Sequence, residues 1–101
     1  MTLLVDPALV SASAGVDSIA AGVVGAGTLG ASPVMAAVLP PGIDSTSVMA
    51  QGMVLAHAAS ALQMLGQFTG QRALFAAAKD LSAGVFSATE AANAAAAALG
   101  V

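Results

Sequence analysis

The chain has no cysteine, tryptophan or tyrosine, and phenylalanine occurs only at Phe68, Phe75 and Phe86. Without cysteine there is no disulfide framework, no thiolate nucleophile and no thiolate metal site. So few rings also exclude a core built on bulky aromatic anchors. Charge is equally scarce: 7% of the residues are charged, against about 25% in an ordinary soluble domain. The only positive side chains are Arg72 and Lys79, and the net charge is −3. Phosphate neutralisation therefore cannot drive binding, which argues against nucleic acid as a partner, and an anionic membrane surface is disfavoured for the same reason. The opening Met1-Thr2-Leu3-Leu4-Val5-Asp6-Pro7 has neither a basic stretch nor a continuous apolar one, so no general secretory signal peptide is expected.

What the chain does have is apolar residues, 58% of its 101 positions, many of them alanine. The length fits one domain, residues 1–101. Alanine and glycine bury little area each, so the composition points to closely packed helices. The main punctuation is Pro40-Pro41-Gly42, followed by Asp44 and Ser45. Consecutive prolines bar a continuous helix, and Asp44 or Ser45 can cap the next one. In the first arm, Asp6-Pro7 reads as N-cap plus first-turn proline, and Leu9, Val16, Ile19 and Val23 recur at helical spacing. This predicts helix 1 over about 7–37, weakened by its glycines and with a kink point at Pro33. A turn follows at 38–44, then helix 2 over about 45–80, then a tail over 81–101.

Two apolar stripes lie on the second arm. Leu55, Leu62, Leu65, Phe68 and Phe75 form one, and Met49, Met53, Met64, Gln71 and Leu74, four of the five apolar, form another on a different face. The fold class is all-α, an antiparallel two-helix hairpin, and one partner helix within the chain cannot cover both stripes. Small scaffolds of this kind usually need oligomerisation. Met49, Met53, Leu55, Leu62, Met64, Leu65, Phe68 and Phe75 are therefore the candidate partner interface, reached helix to helix.

Other motifs are weaker. Gly25-Ala26-Gly27-Thr28-Leu29-Gly30 matches G-x-G-x-x-G, but the chain is too short for paired βαβ units and Pro33 falls where the following helix should run, so small residues for close helix approach explain it better. His57 is the only imidazole and has no cysteine or carboxylate at i±3 or i±4, which leaves neither a metal site nor a nucleophile–base pair. The five carboxylates read as caps or isolated helix-face charges, and Arg72, Lys79 and Asp80 as a solvated face or the rim of an interface. No enzyme site, cofactor, metal or small-molecule substrate is expected. Residues 18–43 and 45–71 carry no charge, so an integral membrane hairpin is the rival reading. Against it stand the Gly/Ala/Ser-rich first arm, Gln51, Gln63, Gln67 and Gln71 in the second, and the lack of an aromatic belt or basic loop.

The opening around Pro7, the Ala/Ser/Gly-rich first helix, Ala36-Ala37-Val38-Leu39-Pro40-Pro41-Gly42-Ile43-Asp44, the Gln- and Ala-rich second helix and the tail Thr89-Glu90-Ala91-Ala92-Asn93-Ala94 together resemble the PE family of mycobacterial type VII (ESX) secretion. The likeness is greatest to short members without a C-terminal extension, associated with the metal-regulated (iron/zinc) system. It implies a non-enzymatic subunit whose hairpin completes a four-helix bundle with a PPE-family protein as an obligate heterodimer. It further implies an EspG-type chaperone that holds the PPE subunit, with little or no contact to this chain. Export through the type VII machinery to the exterior or the cell surface, after a cytoplasmic stage, and a role in metal or nutrient acquisition at the cell envelope also follow. The family's secretion signal, aromatic-x-x-x-acid, matches Phe86 and Glu90, with Phe in place of the usual Tyr. The name-giving Pro-Glu pair matches Pro7-Ala8, so its Glu is missing, and capping by Asp6 can substitute for it.

Overall fold

Asp6 and Asp44 start the two helices of the computed structural model, which describes residues 4–100. The Asp6 carboxylate accepts from the Ala8 backbone N–H at 3.0 Å and from that of Leu9 at 3.4 Å, satisfying donors that the first helical turn leaves free. Helix α1 (Pro7–Ala36) follows, with proline at its first position, where the missing N–H costs nothing. Asp44 repeats the device: it accepts from the Ser47 hydroxyl at 2.6 Å and from the Ser47 backbone N–H at 3.4 Å. Helix α2 (Ser45–Ala98) follows it. The eight residues between the helices include Pro40 and Pro41, and the Gln51 side-chain amide donates to the Val38 carbonyl at 2.8 Å, tying the turn to α2. Among the described residues there is no strand, and the fold is an all-α helical hairpin.

Pro33 lies inside α1, as expected from the sequence, and the helix continues to Ala36. One feature differs from the sequence expectation: α2 does not end near residue 80 but runs to Ala98, so residues 81–98 are helix and not a tail. The reason is local: the segment has no proline, ends in the alanine run Ala94 to Ala98, and alanine is the strongest helix former. It stops at Gly100, whose φ of +72° is the left-handed conformation that commonly terminates helices.

The chain forms two compact units: a terminal unit, in which the chain up to Ile19 pairs with the chain from Arg72 onward, and a turn unit, Ala20–Gln71. In each, α1 and α2 segments run antiparallel. Buried hydrophobic residues are alanines alone among the described residues: Ala14, Ala76 and Ala83 in the terminal unit, Ala21 and Ala58 in the turn unit. In the turn unit a Cβ added at Gly25 would lie 3.4 Å from the Thr69 methyl, in van der Waals contact with it, so Gly25 and Thr69 face each other across the seam. Thr28 and Thr69 donate their hydroxyls to the carbonyls of Val24 and Leu65 one turn back, which keeps those polar groups satisfied along the seam.

Candidate partner interface

Alanine inside leaves the large apolar side chains outside. In the turn unit, Met49, Met53, Met64, Leu65 and Phe68 are exposed. Leu65, Phe68 and Met64 line a shallow, mostly apolar groove on α2, together with Ala61, Ser60 and the exposed imidazole of His57. In the terminal unit, Phe75, Leu74, Leu81 and Val85 are exposed as well. Isolated exposed apolar residues are ordinary, but so many beside an alanine core form an extensive exposed apolar surface.

The expected interface does not present itself uniformly. Leu55 and Leu62 are half-buried and line a crevice with Met35 and Ala36 in the turn unit, so they face α1 of their own chain. Leu55, Ala58 and Leu62 step by three and four residues along the face of α2 that meets α1, and the stripe turns away from α1 beyond Leu62. Leu65, Phe68 and Phe75, assigned to the same stripe by sequence, point outward. Phe86 and Glu90 sit one turn apart on one face of α2, both exposed, within regular helix.

Arg72, Lys79 and Asp80, read from the sequence as a solvated face or the rim of an interface, contact α1 within the terminal unit. The Lys79 ammonium donates to Asp17 Oδ2 at 2.6 Å and to the Ser13 hydroxyl, and Arg72 Nη2 donates to Asp17 Oδ1 at 3.3 Å. The Ser11 hydroxyl donates to Asp80 Oδ1 at 2.6 Å. The hydrogen bond from Lys79 holds the Asp17 carboxyl below its ordinary range, against the opposing effect of desolvation, and the Lys79 charge and Arg72 add to the lowering. Lys79 also lies 5.1 Å from the centre of the Phe75 ring. These partners are 55 to 69 residues apart in sequence, so no spacing rule along one helix exposes them. The signal that could have found them is the fold-back about Pro40-Pro41, which brings the Asp17 segment of α1 alongside the Arg72 segment of α2.

No group of three or more histidine, cysteine or acidic residues able to hold a metal ion occurs among the described residues. The Gly25 to Gly30 run lies in mid-helix, without the preceding strand that a phosphate-binding turn requires. No curated protein and no solved structure matches this chain. The sequence model of the PE family, by contrast, matches residues 3–93. That span includes both caps, the Pro-Pro turn, the outward-facing apolar residues and the Phe86–Glu90 turn, and on it the chain belongs to the PE family.

Proposed function

We propose that this chain is a non-enzymatic subunit that pairs lengthwise with a PPE-type protein, completes a four-helix bundle and is exported with that partner through a type VII system. The observation that carries the reading is the inversion of the usual core in a PE-family chain: alanines inside, and Met49, Met53, Met64, Leu65, Phe68 and Phe75 outside. An alanine seam yields little burial energy, because each methylene-sized increment contributes only about 0.8 kcal/mol. The large side chains hold most of the apolar area still available, and a partner that covers them couples folding to assembly. Phe86 and Glu90, side by side on α2, are the proposed export signal, with the EspG-type chaperone acting on the partner. Within the family the short metal-regulated type remains our assignment, with nutrient acquisition at the envelope as its setting.

The test is co-expression with an adjacent PPE-type open reading frame, then size-exclusion chromatography with light scattering and circular dichroism. A helical one-to-one complex, with the chain poorly soluble alone, is the expected result. A chain that folds and stays monomeric by itself removes the need for a partner. One observation favours a second reading, an integral membrane hairpin: α1 and α2 are both long and apolar enough to cross a bilayer. Against it, α2 has 54 residues, where a span needs about 20. Resistance to carbonate extraction would favour the membrane reading, and a detergent-free soluble complex the paired one.

A further inference from the structure

Three thioethers, those of Met49, Met53 and Met64, lie on one side of α2 in the turn unit. At about 100° per residue they fall within about 60° of arc, on the opposite side of the helix from Leu55, Ala58 and Leu62, which meet α1. They are 69%, 74% and 55% exposed. Met35, the fourth methionine among the described residues, is half-buried and lines the crevice with Leu55 and Leu62.

Thioethers are the side chains of this protein most open to a two-electron oxidant. The chain has no cysteine, tryptophan or tyrosine to compete for one, and susceptibility follows exposure. We propose that Met49, Met53 and Met64 form an oxidation site for hydrogen peroxide, at which the outer face of α2 in the turn unit changes from apolar to polar while the seam stays intact. At each residue the sulfur lone pair attacks one peroxide oxygen, an S–O bond forms, the O–O bond breaks and the second oxygen leaves as water after proton transfer. Sulfur loses two electrons and peroxide gains them. The change is reversible, since methionine sulfoxide reductases return the sulfide at the expense of a dithiol.

A sulfoxide adds a polar oxygen that water satisfies on this face, so the free hairpin tolerates it. Beneath an apolar partner the same oxygen is desolvated without a donor, which is costly. Met64 shares the mostly apolar groove with Leu65 and Phe68, so oxidation there places the new acceptor among apolar side chains. Resting on the assembly proposed above, the sulfide is the form that pairs, and peroxide acting on the unpaired chain disables it.

The test treats the soluble full-length chain with dilute hydrogen peroxide and times oxygen uptake at each methionine by peptide mass spectrometry. Met49, Met53 and Met64 should be oxidised at least about threefold faster than Met35. The oxidised chain should keep its helicity by circular dichroism, elute earlier from a hydrophobic-interaction column and bind the PPE-type protein at least about tenfold more weakly. Epimer-specific methionine sulfoxide reductases with a dithiol should restore both properties. The triple variant Met49→Leu, Met53→Leu, Met64→Leu keeps apolar side chains of similar volume without sulfur; it should bind, and peroxide should not weaken it. Oxidation of Met35 at the same rate, unchanged column retention, unchanged affinity after oxidation, or equal peroxide sensitivity of the triple variant overturns the proposal. If the untreated chain binds no PPE-type protein, the assembly proposal fails, while the order of oxidation and the column retention still decide this one.

Discussion

Truncating Phe68 separates the seam from the outer face. Its side chain is 61% exposed in the hairpin, so about three fifths of the ring's burial remains to be gained on assembly. Full burial of a phenylalanine is worth about 1.5–3 kcal/mol, which leaves about 1–2 kcal/mol for the partner to realise. Phe68→Ala should therefore weaken the complex about 5- to 20-fold, at about 1.4 kcal/mol per decade. The hairpin itself should not suffer, since the ring is mostly in solvent and alanine is the better helix former. Leu62→Ala is the contrasting control. Leu62 is half-buried against α1, so its loss should lower helicity and thermal stability of the hairpin first, and affinity only as a consequence. The assay is calorimetric titration of the two subunits, beside circular dichroism of each variant. Unchanged affinity for Phe68→Ala, or a helicity loss matching that of Leu62→Ala, would refute the division of α2 into an inner and an outer face.

Three further outcomes follow from the same geometry. Since the folded-state carboxyl of Asp17 lies below its ordinary value of 3.8, its contact with Lys79 and Arg72 stabilises the hairpin above that pH. The contribution is lost as pH falls through the lowered value, so thermal melts should show an acid-limb drop that Asp17→Asn flattens. Glu90→Ala should leave the complex intact on a sizing column while the pair disappears from the culture filtrate; normal export of the variant would take Phe86 and Glu90 out of the mechanism. Gly30→Ala, at a mid-helix position with open space around it, should raise stability by about 0.5–1 kcal/mol without changing partner affinity, as read by chemical denaturation.

Local signals carried the architecture. Asp6-Pro7 and Asp44 are cap chemistry that operates within three residues, and Pro40-Pro41 forbids helix by covalent structure, so the two helix starts and the turn were legible without tertiary information. The end of α2 was not, because the fall in bulky apolar residues after Phe75 resembles the end of an amphipathic stripe. Alanine propensity nevertheless sustains the helix with little side chain to bury. The candidate interface was legible in part. Leu55 and Leu65 fit one helical stripe equally well, and which faces α1 depends on crossing geometry that the stripe does not encode. The charged cluster was opaque for a different reason. Arg72, Lys79 and Asp80 look like a solvated patch until Asp17 and its neighbouring serines are brought alongside from the other helix.

Alanine in the seam and methionine, leucine and phenylalanine on the outside belong to one physical arrangement. Two helices joined by an eight-residue turn can approach closely only where the side chains between them are small, as Ala14, Ala76 and Gly25 are. Close approach then leaves little room for large residues in the seam, where Leu55 and Leu62 are only half-buried, and most of the others occupy the outer faces. An outer face carrying the bulk of the apolar area is a poor surface for an isolated chain and a good one for association, where buried area is the dominant favourable term. The pairing of Asp17 with Lys79 and Arg72 joins the helices through the one charge that α1 possesses, a contact that alanine packing alone does not supply.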